Sequence, residues 1–193
     1  VLGDEVNLIQ ELATNTRLKI PVLFGIDAIH GHALRNGATI FPSQLSVSSS
    51  WDLEAIREMG RVTAREVATD GIHWTFSPVL CIARDLRWGR VNETYGEDPY
   101  LIGELGAAII QGYQGQALSD EGSILACAKH YLAYGESTGG RDSYDASVSY
   151  RKLREVFLPP FKRAVEAGCA TVMTGYQSID GTPITISKRW IKQ

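Results

Sequence analysis

Residues 72–80, IHWTFSPVL, form an apolar run, and residues 98–114, DPYLIGELGAAIIQGYQ, open with Asp-Pro and repeat apolar residues at helical spacing. The first stretch predicts a strand. The second predicts a helix with Asp98 as N-cap and Pro99 at its first position. Leu101, Leu105 and Ile109, with Ile102, mark its buried face, and Gly112 or Gly115 its end. Between strand and helix lies a loop, residues 83–96, dense in charge and glycine.

The same unit recurs on both sides. Upstream, residues 20–28 (IPVLFGIDA) predict a strand buried on both faces. A Ser-rich connection, residues 39–50, leads to a helix over 52–69 with the stripe Leu53, Ile56, Met59, Val62 and Val67, capped by Ser50 or Asp52. Residues 1–18 predict an N-terminal helix, with Leu2, Val6, Ile9 and Ala13 at helical spacing. Downstream, residues 123–134 (SILACAKHYLAY) predict a third strand, followed by a polar loop over 135–147. Ser149 caps a helix with Leu153, Val156 and Phe157 inward. Pro159-Pro160 must kink or break it, and it resumes over 161–167. Residues 170–179 (ATVMTGYQSI) predict a fourth strand, Asp180-Gly181 a turn, and Ser187 the start of a last helix. Four strand–helix units predict a parallel sheet with helices outside it.

Composition sets the outer limits. The chain has 193 residues, 44% hydrophobic and 21% charged, with a net charge of −3. That is globular composition, it holds no apolar run of 18 to span a bilayer, and the slight acidic excess argues against nucleic acid as a partner. Cys81, Cys127 and Cys169 form no CxxC pair, so they are expected in the core rather than in a disulfide framework or a zinc site. The N-terminus has no basic region, continuous apolar region or initiator methionine, so the chain is expected to be cut from a longer one. Its length is about 60 residues short of a typical (β/α)8 barrel.

In parallel α/β folds, ligands bind at the carboxyl ends of the strands. Asp27, His30 and His32 follow the first strand in GIDAIHGH. Asp27 there can accept hydrogen bonds from two sugar hydroxyls, or it can cap a loop. His30 and His32 have the spacing of a metal pair, which leaves open a metal-dependent barrel hydrolase, although only His73 and His130 remain as further histidines. After the second strand, Arg84, Arg87 and Arg90 stand among Asp85, Glu93, Glu97 and Asp98. Such a cluster can be structural, and an arginine fixed by carboxylates is also a rigid donor to hydroxyls. Trp88 and Tyr95, in the same loop, could offer flat faces to a sugar ring. Lys129 and His130 are neighbours on the third strand, so both reach one site only if the strand is irregular there, through a bulge or an unusual peptide bond. A lysine in an apolar strand is costly unless paired, which favours a functional role for Lys129.

Taken in order, GIDAIHGH with GATIFP (37–42), TFSPVLCIARDLRWGRVNETYGEDP (75–99), ACAKHYLAYG (126–135) and TVMTGYQSIDGTP (171–183) resemble the N-terminal barrel domain of glycoside hydrolase family 3, the β-glucosidase and exo-β-glucanase family. The resemblance implies that residues 1–193 are the first part of a (β/α)8 barrel, about four strand–helix units. It implies a retaining glycosidase acting on β-linked glucosides or cello-oligosaccharides, without a cofactor, nucleic acid or membrane, in an extracellular or periplasmic setting. By position, Asp27 resembles the carboxylate that grips hydroxyls of the non-reducing sugar in subsite −1. Arg90, Lys129 and His130 resemble the donors around that ring, and Arg141 the loop arginine of the subsite. Met173 and Tyr176 resemble residues beside the catalytic centre, the tyrosine orienting the nucleophile.

The chain departs from the family at one point. The nucleophilic Asp belongs to a later motif resembling SDW, which does not occur before Gln193, and the acid/base residue usually comes from a following domain. None of the catalytic pair is therefore expected in this chain. The expectation is a binding half, inactive alone, that pairs with the missing barrel half or a second copy. A non-catalytic sugar-binding or assembly module is the remaining alternative.

Overall fold

The computed structural model describes residues 2–192; Val1, the first residue of the predicted N-terminal helix, and Gln193 lie outside the described residues. The elements in chain order are α1 (Leu2–Thr14), β1 (Gly25–Ile26), α2 (Gln44–Ser48), α3 (Leu53–Thr69), β2 (Trp74–Thr75), α4 (Pro99–Gln114), β3 (Cys127–Tyr131), α5 (Tyr150–Lys152), α6 (Pro159–Glu166), β4 (Thr171–Thr174), β5 (Ser178–Ile179), β6 (Thr182–Pro183) and α7 (Lys188–Ile191). β1 pairs parallel with β2, and β3 parallel with β4. Parallel bridges Trp74↔Leu125 and Val79↔Lys129 join β2 to β3. The four strands thus lie side by side in chain order, the wall of a partial (β/α)8 barrel. β5 and β6 form a separate antiparallel hairpin around Asp180 and Gly181, both at positive φ. That is the geometry a tight hairpin turn requires.

Local chemistry sets the helix ends. Asp52 accepts from the backbone N–H groups of Glu54 and Ala55, and Asp98 from Leu101. Ser149 caps α5 through Lys152 N–H. Gly115, at φ +62°, ends α4. The Pro159-Pro160 kink appears as a single π-helical turn over Leu153–Phe157 just before α6. α3 and α4 pack closely because Gly60 and Gly112 face each other: a Cβ at Gly60 would come within 2.7 Å of the Ile109 carbonyl oxygen, and one at Gly112 would collide with that of Arg57. The main core lies between these helices and the strands, with Ile56, Val67, Ile102, Leu105, Ile109 and Phe161 at its centre.

The strands are shorter than the apolar runs. Residues 20–28 do not form a strand buried on both faces: only Gly25–Ile26 pair, and Ile20, Val22 and Leu23 are exposed. The backbone of Val22 is instead satisfied by the α1 side chain Gln10, which donates to its carbonyl at 2.6 Å and accepts its N–H at 2.9 Å. Gln44 does the same for Val79, at 3.1 Å in both directions. Gln114 accepts from the N–H groups of Ala126 and Ala170, fastening β3 and β4 at their start. Amide side chains replace strand neighbours at these places, which is why β1 and β2 are short. Cys81 and Cys127 are buried in the core as expected, while Cys169 is half-buried. Among the described residues, no helix is long and apolar enough to cross a membrane.

Candidate functional site

The strand ends bring Asp27, after β1, and Lys129, in β3, together: Nζ donates to Oδ1 at 2.5 Å. The lysine side chain is 3% exposed, whereas that of Asp27 is 62% exposed. The ammonium is buried with one counter-charge, and the carboxylate keeps its other face open. A buried cation needs such a partner. Beside them, Arg90 donates from Nε and Nη2 to the two carboxylate oxygens of Glu93, each at 2.7 Å. This fork holds the guanidinium in one orientation. Asp27, Arg90 and Glu93, with His30, Gln44 and Asn92, line a recess of about 360 Å³.

β3 is irregular where the site needs it. Lys129 pairs with Met173 and Tyr131 with Thr174, so His130 has no partner in β4. The Lys129-His130 peptide bond is cis. The bulge takes His130 out of the β4 ladder, so the ordinary alternation of neighbours to opposite faces does not hold there. His130 lies against the Tyr134 ring, 4.8 Å between centroids. Tyr134 in turn meets Trp88, Tyr176 and the Arg90 guanidinium. Burial, reinforced by the charges of Arg90 and Lys129, pushes the His130 imidazole down to about 3, so it is neutral at ordinary pH. Burial pushes the neighbouring Cys81 thiol up to about 12, so it too is neutral.

The other candidates fall in different places. Met173 stands opposite Lys129, and Tyr176 is 61% exposed at the end of β4. Arg141 stands apart: it is exposed, with its guanidinium 5.5 Å from the centre of the Tyr144 ring. Its neighbour Asp142, also exposed, turns its carboxylate to Trp88, accepting from Nε1 at 2.9 Å. Burial would raise the Asp142 carboxyl, but hydrogen bonds from Trp88 and Tyr134 and the charge of Arg90 hold it below its ordinary value.

Trp88 and Tyr95 do not present faces to a ligand. They are 2% and 1% exposed, because both rings fill the core beneath the loop. The charged loop is largely an ion-pair cluster: Arg87 with Asp85, Arg90 with Glu93, and Arg84 with Glu136. His30 and His32 do not converge. His32 is fully buried and its Nε2 lies 2.9 Å from Asp70, which also accepts from Arg35, while His30 borders the recess beside Asp27. Among the described residues, no group of three His, Cys, Asp or Glu side chains is gathered as metal ligands would be.

Cys81 was not legible as part of the site, since a cysteine in an apolar strand reads as a core residue. Glu93 was legible among the carboxylates that fix the arginines, but not as the partner of Arg90 in particular. Chemically, the arrangement offers an open carboxylate and a fixed guanidinium on one recess, with the buried Lys129 ammonium paired to that carboxylate and the neutral His130 imidazole packed against Tyr134. Those groups match the paired donors and acceptors of vicinal hydroxyls.

Comparison with known proteins gives a consistent result. The profile of the glycosyl hydrolase family 3 N terminal domain matches residues 2–193. A periplasmic β-glucosidase of Salmonella typhimurium is 39% identical over 176 residues, covering 91% of this chain and 22% of the relative. A β-xylosidase of Formosa agariphila is 41% identical over 182 residues, covering 90% of this chain and 25% of the relative. Among solved structures, a β-glucosidase involved in saponin metabolism from intestinal bacteria superposes with a TM-score of 0.92 at 53% identity, over 98% of this chain and 25% of its own. A mutant Listeria innocua β-glucosidase in complex with laminaribiose gives 0.93 at 40% identity, over 98% of this chain and 26% of its own. The chain thus spans about a quarter of the length of these relatives.

Proposed function

This chain belongs to glycosyl hydrolase family 3, and on that premise we propose that it supplies the sugar-gripping half of a retaining β-glucosidase-type active site. The observation that carries this reading is the Asp27–Lys129 pair: an open carboxylate backed by a buried ammonium at the rim of a polar recess. Asp27 accepts hydrogen bonds from hydroxyls of the terminal β-linked glucose in subsite −1. Lys129, Arg90 and His130 donate to the same ring. Met173 and Tyr176 border the reacting carbon, with the Tyr176 hydroxyl orienting the nucleophile. Arg141 joins the subsite only if its loop moves, since it now lies over Tyr144.

Retention requires an attacking carboxylate and a second carboxylic acid that protonates the leaving oxygen. In this reading both lie outside the 193 residues, as do the remaining strands of the barrel. The length of the relatives supports this. So does an apolar recess of about 640 Å³ beside β4, lined by Tyr131, Phe161, Val172 and Trp190, where further barrel or a second copy would pack. β-Linked glucosides and cello-oligosaccharides are the proposed substrates, and the periplasm or cell exterior the proposed setting. The names of relatives support β-linked glucosides and a periplasmic setting.

The decisive experiment follows glycoside hydrolysis by the protein that carries this chain, using proton NMR. β-Glucose as the first product from an aryl β-glucoside supports the proposal. α-Glucose as first product overturns retention, and faster release of xylose from the matching xyloside moves the reading to a β-xylosidase.

A further inference from the structure

We propose that Cys81 is a positioning residue that fixes the tautomer of His130, so that His130 presents Nε2–H to the sugar. Two contacts carry this inference. The His130 backbone N–H donates to Cys81 Sγ at 3.4 Å. The same sulfur lies 3.5 Å from His130 Nδ1. One sulfur therefore grips both the main chain and the ring of one histidine.

The direction of the second contact rests on the first contact together with protonation. Cys81 is a thiol, because burial pushes it up to about 12. His130 is a neutral imidazole, because burial and the nearby Arg90 and Lys129 charges push it down to about 3, against a weaker opposite pull from Asp142. A neutral ring has one N–H and one bare nitrogen. The sulfur already accepts the His130 backbone N–H, which leaves its own S–H proton for the ring nitrogen on its other side. In the proposed arrangement Nδ1 is the acceptor, and the ring proton sits on Nε2. Among the described residues, Nε2 has no hydrogen-bond partner, and it is absent from the sealed unpartnered atoms, which are His30 Nδ1, His32 Nδ1, Tyr95 Oη and Gln177 Oε1. It is the free end of the ring.

A donor at Nε2 suits the site. Asp27 and Glu93 already supply acceptors, whereas a bare nitrogen would add one more. The inference about catalysis rests on the sugar-binding reading above; the tautomer itself does not.

Histidine-selective 15N labelling tests it, with His130 identified through His130→Gln. The wild-type spectrum should show a bare Nδ1 and a protonated Nε2 from about pH 5 to pH 8, the range in which an ordinary histidine titrates. Cys81→Ser should keep that pattern and Cys81→Ala should give a mixture of tautomers. In the active protein, Cys81→Ala should lower kcat/KM about tenfold, with Cys81→Ser recovering most of it. A protonated Nδ1 in the wild type, or an unchanged tautomer in Cys81→Ala, overturns the proposal. Should Cys81→Ala fail to fold, the S–H stretch decides: the wild-type minus Cys81→Ser infrared difference must show a hydrogen-bonded thiol, and a free-thiol frequency overturns the proposal. A wild type with the expected tautomer but no glycosidase activity counts against the sugar-binding reading and leaves the clamp standing.

Discussion

Lys129 Nζ lies 2.5 Å from Asp27 Oδ1, across 102 residues of sequence, with the ammonium buried and the carboxylate open. The two partners are therefore unequal. Removing the acid strands a buried cation, whereas removing the lysine leaves a carboxylate that water can reach.

Asp27→Asn should consequently affect both stability and activity. The neutral amide compensates the Lys129 charge poorly. Because Asp27 is largely exposed, the loss of stability should be about 1–2 kcal/mol, below the range for a fully buried pair. Loss of the charge-assisted bond to sugar hydroxyls should lower kcat/KM at least about 100-fold, or roughly 2.7 kcal/mol. Urea unfolding and aryl β-glucoside kinetics measure the two effects. Activity within about twofold of wild type would mark Asp27 as a loop residue only.

Lys129→Met should separate them. An apolar side chain of similar length suits the buried stem, so stability should stay within about 1 kcal/mol of wild type. Sugar binding should still be lost, because the donor is gone. Calorimetric titration with glucose, run beside thermal unfolding, checks both. A stable variant that binds glucose normally would remove Lys129 from the site.

His130 predicts an acid limb in the stability curve. Its imidazole sits at about 3 in the fold and near 6.5 in an unfolded chain. As pH falls below about 6.5 the unfolded chain takes up the proton first. Stability from this group is full above that value and falls progressively toward pH 3. The loss should reach at most about 5 kcal/mol. His130→Gln should flatten that limb of Tm against pH, and an identical slope in the variant would contradict the assignment.

Gly112→Ala tests the helix pair. The added methyl meets the Arg57 carbonyl, and neither backbone can yield without parting α3 from α4. Overpacking of this kind should cost about 2 kcal/mol, read from the urea midpoint. Gly181→Ala, at a turn where a Cβ meets nothing but φ is +77°, should cost about 1 kcal/mol. A larger loss at Gly181 than at Gly112 would argue against the close helix contact.

The long helices α3 and α4 and the caps of α3, α4 and α5 were legible because their causes are local, whereas α2 lies within what reads as a Ser-rich connection. Asp52, Asp98 and Ser149 bond N–H groups two or three residues away, and Gly115 ends α4 through its own φ. The order of four strands, and the polar residues that follow them, were legible for the same reason. The extent of the strands was not. An apolar run is equally consistent with a paired strand and with the exposed segment at Ile20–Leu23, because pairing depends on what lies alongside.

The sequence by itself determined which residues are available at the strand ends, and that Lys129 and His130 could share a site only through an irregular backbone. Tertiary structure alone decided who meets whom. Trp88 and Tyr95 turned into the core, His32 went to Asp70 instead of joining His30, Asp142 rather than Arg141 bonded Trp88, and Cys81 closed on His130. The Trp88, His32 and Cys81 pairings span 38 to 54 residues, and their energies depend on burial that exists only once the strands and helices are packed.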